Sequence, residues 1–104
     1  MLGDDDEEFL KQLLEEFDKE FWEAMEKIRE GLKTGELEET KIAAHSIKGS
    51  AAVFGATDLS KAAKVLEHAV KNGETDAKEM TKMADTIEEC FKTVDRETLA
   101  SAMM

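Results

Sequence analysis

Apolar side chains recur at helical spacing through nearly the whole of this chain, and that periodicity restricts the folds open to it. From Phe9 to Leu32 the apolar residues lie three or four positions apart, as on one face of an amphipathic α-helix. Comparable stripes run through 37–54, 59–70 and 80–94. Hydrophobic residues make up 41% of the chain and charged residues 38%, which suits amphipathic helices better than a β-sandwich. We therefore predict an all-α protein.

Glycine-containing turns divide these stripes into four helices. Gly35, Gly55 and Gly73 each follow a stripe, where glycine readily adopts the left-handed conformation that ends a helix. The connections are short, which favours antiparallel neighbours. A chain of 104 residues is long enough for one core and too short for a separate catalytic domain. The prediction is a single domain over residues 1–104, folded as an antiparallel up-down four-helix bundle.

The helix ends and the two ends of the chain carry further predictions. Residues 1–6 are acidic and are expected to form a flexible N-terminus. The first stripe fits either one long helix or two helices joined by a bend near Asp18–Phe21, which would create an additional N-terminal helical segment. Asp95 can cap a short C-terminal helix that would hold Leu99 and Met103. Caps are also expected at Thr57 or Asp58 for the third helix and at Thr75 or Asp76 for the fourth.

The charge balance limits the partners of the chain. A formal net charge of −11, from 14 Lys and Arg against 25 Asp and Glu, would repel a nucleic-acid backbone, whose binding depends on cations that neutralise phosphates. We therefore expect no nucleic acid as a partner. Cys90 is the single cysteine and cannot form an internal disulfide, and the N-terminus lacks the apolar run of a signal peptide or membrane anchor. These features predict a cytoplasmic protein without a membrane partner.

One histidine lies on the face of the second stripe that is turned away from the core. At roughly 100° per residue, Ile47 and Ala51 share the apolar face, whereas His45, Lys48 and Gly49 lie on the opposite side. An imidazole is largely neutral near pH 7, so one of its nitrogens has a lone pair and needs no activating base. This pattern predicts an exposed nucleophile, and the alternative is a surface histidine without a role.

The neighbours of His45 favour the functional interpretation. Lys48 lies one turn further along the same surface, where its ammonium could neutralise oxygens of a group carried on the imidazole. A glycine inside a helix costs about 1 kcal/mol relative to alanine, so Gly49 needs a compensating reason, such as room for a phosphoryl group and a partner. The alternatives are solubility for Lys48 and close helix packing for Gly49.

These residues form part of a recognisable signature. The segment His45–Ala52, followed by Phe54–Ala56, Leu59 and Leu66–Glu67, resembles the signature of histidine-containing phosphotransfer (Hpt) domains. Ser46 stands where such motifs often have Thr or a hydrophobic residue. The resemblance implies a four-helix bundle that relays phosphoryl groups from a sensor histidine kinase or a response-regulator receiver domain to another receiver.

The resemblance also implies roles for individual residues. His45 would accept the phosphoryl group, Lys48 would steady the transferred oxygens, and Glu67 would bind the other ring nitrogen and set the tautomer. For Glu67 the alternative is an exposed carboxylate paired with Lys64 or Lys71. His68 lacks this context and is assigned no chemistry.

Partner binding is expected around the histidine. Lys41, Lys61 and Lys64 could form a basic rim that faces the acidic pocket of a receiver, and the alternative is scattered surface lysines. Small side chains would leave room for the receiver to dock. The residues expected to contact the phosphoryl group or the partner are Lys41, Ala44, Ser46, Gly49, Ala52 and Lys64. The Mg²⁺ for the reaction would come with the partner, and we expect no intrinsic cofactor or metal site, no autokinase activity and a monomer.

Two other functions share these residues. One is a helical adaptor that binds a receiver or a partner helix without chemistry, and the other is the phosphoacceptor module of a larger chemotaxis-type histidine kinase. A phosphate that is labile in acid, stable in alkali and dependent on His45 would distinguish phosphotransfer from the adaptor.

Overall fold

The computed structural model describes residues 4–74 and 76–94, and these residues form four helices. The helices are α1 (Asp4–Thr34), α2 (Leu37–Val53), α3 (Thr57–Lys71) and α4 (Ala77–Lys92). No strand occurs within the described ranges, so the all-α prediction is confirmed. The predicted C-terminal helix of Asp95, Leu99 and Met103 lies outside the described residues.

Successive helices run in opposite directions around a closed square. Phe21 of α1 stacks on Phe91 near the end of α4, with ring centroids 3.7 Å apart. Arg29 lies two turns after Phe21 in α1, and it pairs with Asp85, which precedes Phe91 in α4. The charged groups of Arg29 and Asp85 are 2.8 Å apart. Each helix packs against two others, in the order α1, α2, α3, α4 and back to α1. The predicted antiparallel bundle is therefore confirmed.

The first helix is much longer than the other three. α1 has 31 residues and continues through Asp18–Phe21 without interruption, so the alternative of two helices is wrong. The predicted N-terminal segment is the first part of α1 and not an additional element. α1 begins at Asp4, so residues 4–6 of the predicted flexible N-terminus are helical, and residues 1–3 lie outside the described residues. At about 1.5 Å per residue, α1 extends well beyond helices of half its length.

The core is formed by the stripes that the periodicity predicted. Ile28, Leu59, Leu66 and Ile87 are among the fully buried side chains, and Ile47 supplies the corresponding position of α2. Burying an aliphatic side chain of this size contributes about 1.5–3 kcal/mol to folding. Four phenylalanines close the end of the bundle at which α2 and α4 end, namely Phe17, Phe21, Phe54 and Phe91.

A glycine lets α1 and α2 approach closely near the first turn of the chain. A Cβ added to Gly31 would collide with Thr40 Oγ1 and would lie 2.8 Å from the carbonyl oxygen of Glu36. Thr40 is fully buried, and its hydroxyl donates a hydrogen bond of 3.3 Å to the carbonyl of Ile28. The contact fixes how α2 lies on α1 and therefore which face of α2 is exposed.

The helix starts are capped in different ways. Ala56 is the N-cap residue of α3 and makes no side-chain cap, so the prediction of Thr57 or Asp58 at this position is wrong. Ala56 is buried in the core, and its methyl side chain cannot accept a hydrogen bond from the first backbone N–H groups of α3. At α4 the Asp76 carboxylate accepts hydrogen bonds from the backbone N–H groups of Lys78 and Glu79, which confirms a cap at this position.

Candidate functional site

The side chain of His45 lies on the outer surface of α2. Its neighbours Ala44 and Ile47 are buried against the other helices, as is Ala51 one turn further along. The His45 side chain is 65% exposed. α2 packs against the bundle through a face of small, mostly alanine side chains. The imidazole therefore lies on the outer face, where it is accessible to a partner.

A single carboxylate on α3 holds both His45 and Lys48. Glu67 Oε2 lies 2.6 Å from His45 Nδ1, and Glu67 Oε1 accepts a hydrogen bond of 2.6 Å from Lys48 Nζ. The Glu67 side chain is only 13% exposed. The alternative interpretation of Glu67 as an exposed carboxylate paired with Lys64 or Lys71 is therefore wrong.

The environment of Glu67 indicates which nitrogen of the neutral His45 ring carries the hydrogen. The Lys48 ammonium, which is hydrogen-bonded to Glu67, holds the pKa of that carboxyl below its usual value, and partial burial opposes this effect only in part. An ionised carboxylate can only accept hydrogen bonds, so Nδ1 of the neutral ring must donate its hydrogen to Glu67. The other nitrogen, Nε2, keeps its lone pair.

A serine that the sequence analysis did not single out joins α3 to α2 beside this cluster. Ser60 Oγ donates a hydrogen bond of 3.0 Å to the backbone carbonyl of Lys48. Ser60 and Glu67 are seven residues apart, so they lie on the same side of α3. This spacing is visible in the sequence and could have indicated that Ser60 lies near Glu67. No feature of the sequence identified the carbonyl of Lys48 as the partner of Ser60.

Gly49 has no side chain, so no side chain projects from the surface of α2 at this position beside His45. A Cβ added at this position would meet nothing within 4 Å outside its own helix, so close helix packing does not explain the glycine. Ser46 and Ala52 are also exposed. A partner can therefore come close to the backbone of α2 next to the imidazole.

The remaining predicted contact residues differ in their positions. Ala44 is fully buried, so the prediction that it contacts a partner is wrong, because helical spacing places it on the core face with Ile47. Lys41 is half-buried and pairs with Glu38 at 3.1 Å. Lys64 is exposed on α3.

A family model of the Hpt domain matches residues 8–103, which is most of the chain. The chain belongs to the Hpt family. As an Hpt domain it acts in histidine phosphotransfer within phosphorelays, and such domains interact with receiver domains and histidine kinases. The searches of curated proteins and of solved structures found no match.

Features of the Hpt domain outside the His45 cluster concern metal binding, thiol chemistry and membrane insertion. Within residues 4–74 and 76–94, no group of three or more His, Cys, Asp or Glu side chains could hold a metal ion. Cys90 is half-buried beside the core, and burial raises the pKa of its thiol. None of the described helices is long and apolar enough to cross a membrane.

Proposed function

We propose that this Hpt domain accepts a phosphoryl group on Nε2 of His45 and passes it to a receiver domain. The observation that supports the proposal most strongly is the hydrogen bond between Nδ1 and Glu67, because it leaves Nε2 as the reactive nitrogen on an exposed ring. The donor is a histidine kinase or the phosphoaspartate of a receiver. The acceptor is the aspartate of another receiver.

The transfer can be written with all bonds accounted for. When the donor is a phosphoaspartate, the Nε2 lone pair of His45 attacks its phosphorus, and the bond between phosphorus and the aspartate oxygen breaks. That electron pair returns to the aspartate carboxylate, while Nδ1 keeps its proton. Positive charge then develops on the ring, and the ionised Glu67 beside it stabilises this charge. Transfer to the next receiver follows the same path in reverse.

Lys48 is proposed to act mainly through Glu67. Its ammonium contacts Oε1 of Glu67 in this structure, so it keeps the carboxylate ionised and in position. This role needs no contact with phosphoryl oxygens, although the ammonium has further N–H donors that could make one as well. Lys48 is therefore a positioning residue for the free Hpt domain.

The partner would supply the remaining parts of the reaction. A receiver would place its aspartate over the low surface at Ser46, Gly49 and Ala52, and Mg²⁺ would arrive bound to the receiver. Lys41 and Lys64, on the α3 side of His45, would face the acidic pocket around that aspartate. Electrostatic positioning of this kind dominates phosphoryl transfer.

The test is transfer of label from phosphorylated receivers. Isolated receivers labelled on aspartate are mixed with this chain, and we expect label on the chain that is labile in acid and stable in alkali. His45→Gln should abolish it, whereas His68→Gln, the matched control at the other histidine, should not. Binding of receivers without any labelled His45 would instead support the adaptor function.

A further inference from the structure

A second surface feature lies on the side of His45 that faces α1. Here α1 and α2 border an open groove of about 500 Å³, which we call the α1–α2 groove. Its floor is formed by the buried residues Ala24 and Ala43, and Ile42 lines it while 59% exposed. Ser46, the residue after His45, lines the groove as well, so the groove reaches the reactive site.

A second exposed apolar side chain lies further along the same side of α2. Val53 is 76% exposed and lies eleven residues, or about three turns, after Ile42, outside the groove itself. Ile42 and the alanines beneath it give the groove an apolar lining close to His45, as in the core of many protein interfaces. The groove therefore has the character of a binding surface for a protein partner.

Carboxylates surround the apolar floor. The α1–α2 groove and the shallow depression that continues from it are lined by five glutamates and one lysine, namely Glu20, Glu23, Glu26, Glu30, Glu39 and Lys27. Among the described residues, Glu20, Glu23 and Glu39 form no ion pair. Their charge is therefore available to a partner.

The opposite flank of His45 carries three lysines. Lys48 and Lys41 lie on the side of α2 that faces α3 and pair with Glu67 and Glu38, whereas Lys64 on α3 forms no ion pair among the described residues. His45 thus lies between a flank with one unpaired lysine and an acidic, apolar flank with unpaired glutamates. A partner that covers both must itself be asymmetric in charge.

We propose that the α1–α2 groove binds an apolar segment of the receiver that carries lysines or arginines at its edges. This inference rests on the proposed function, and it determines the orientation of the complex. The acidic pocket of the receiver faces the lysines near α3, while its basic segment covers Ile42 and meets Glu20, Glu23 and Glu39. Receivers that lack such a segment are poor partners for this chain.

The first test uses the unaltered protein. The probe is a panel of isolated receivers, phosphorylated with acetyl phosphate, whose docking faces range from basic to acidic. We expect receivers with basic faces to show the lowest KM for transfer. Their KM should rise about tenfold when ionic strength is raised from about 0.05 to about 0.5 M, because salt screens exposed charges. A preference for acidic receivers, or a KM that does not depend on salt, would overturn the proposal.

The second test reverses charge in the groove. Glu20→Lys with Glu23→Lys should raise the KM for basic receivers about tenfold while kcat stays within about twofold, because rim charges act on association. Glu15→Lys with Glu89→Lys is the matched control, since both residues are exposed glutamates outside the groove and the net charge changes equally. The control should leave KM within about twofold.

A small donor separates this inference from the proposed function. Phosphoramidate can phosphorylate histidine without docking, so it should label His45 equally in the unaltered chain and in both charge variants. Equal labelling together with an unchanged KM in Glu20→Lys with Glu23→Lys would overturn the groove alone. Failure of both phosphoramidate and phosphorylated receivers to label His45 would overturn the proposed function.

Discussion

At the scale of single residues, the site depends on one carboxylate that two cationic or potentially cationic groups share. Glu67 could have paired with the lysines of its own helix, which are three or four residues away, but it reaches across to α2 instead. The arrangement links the protonation of Glu67 to both the fold and the direction in which the imidazole points. The contribution of Glu67 to the stability of the fold and its contribution to phosphotransfer can be measured separately.

Glu67→Gln should lower the free energy of unfolding by about 1 kcal/mol at pH 7, because the ionised carboxylate accepts charge-assisted hydrogen bonds. Lys48 holds the folded-state pKa of Glu67 below the usual value of about 4.3. The carboxylate's contribution is therefore present above the unfolded-state pKa and is lost as the pH falls through the folded-state pKa. Urea unfolding of both proteins from pH 7 downwards measures it. A difference that is the same at every pH would mean that packing, not charge, is responsible.

The role of Lys48 can be tested with a double-mutant cycle on phosphoryl transfer. If Lys48 acts through Glu67, Lys48→Gln should slow transfer about tenfold in the unaltered chain and have little effect in the Glu67→Gln background. The measurement is kcat for transfer from one labelled receiver to the four proteins. Equal effects in both backgrounds would show instead that Lys48 contacts the phosphoryl group independently.

At the scale of helices, two glycines in similar sequence settings have different structural reasons. Gly31 lies inside α1 where α2 comes into contact, and Gly49 lies inside α2 where nothing comes near. Helical periodicity assigns each to a helix but does not report what faces it. The structure therefore predicts opposite effects for the same substitution.

Gly31→Ala should lower the free energy of unfolding by about 2 kcal/mol, since the new methyl group would force α1 and α2 apart. Gly49→Ala is the matched control and should raise the free energy of unfolding by up to about 1 kcal/mol, because alanine has the better helix propensity. Denaturant unfolding of both variants checks the pair. Similar values for the two would contradict the close approach of Gly31 to Thr40.

Much of this architecture could be predicted because it depends on local spacing. The apolar stripes and the glycine turns determined the four helices, and the rotation per residue placed His45 outside and Ile47 inside. Ala44 was predicted as a contact because it is small and precedes His45, although the same rotation puts it in the core. The contact between Glu67 and His45 was expected only from the resemblance. The bonds from Ser60 to Lys48 and from Lys48 to Glu67 depend on how α3 lies against α2, which no local pattern reports.

At the scale of the whole molecule, the chain has a large negative charge distributed unevenly around its reactive group. The net charge is −11, and unpaired glutamates of the α1–α2 groove lie on one flank of His45, while the other flank has lysines, two of which pair with glutamates. The excess negative charges repel one another within the fold, and the same charges attract a partner of complementary charge. Added salt should therefore have opposite effects on folding and on docking.

The free energy of unfolding should rise by about 1 kcal/mol between low and moderate ionic strength, because salt screens the repulsion among excess carboxylates. Thermal unfolding in a series of NaCl concentrations measures this. The same series with Na₂SO₄ at equal ionic strength separates screening from the exclusion of sulfate, which stabilises folded proteins generally. A stability that falls as NaCl is added would show that the ion pairs outweigh the repulsion.

For the proposed transfer, the contact between Nδ1 and Glu67 also affects the order of events in signalling. Only Nε2 is then left to bond a phosphoryl group, so a donor and an acceptor must use the same nitrogen in turn. Each partner must dissociate before the next one binds, and a partner that bound too tightly would stop the relay.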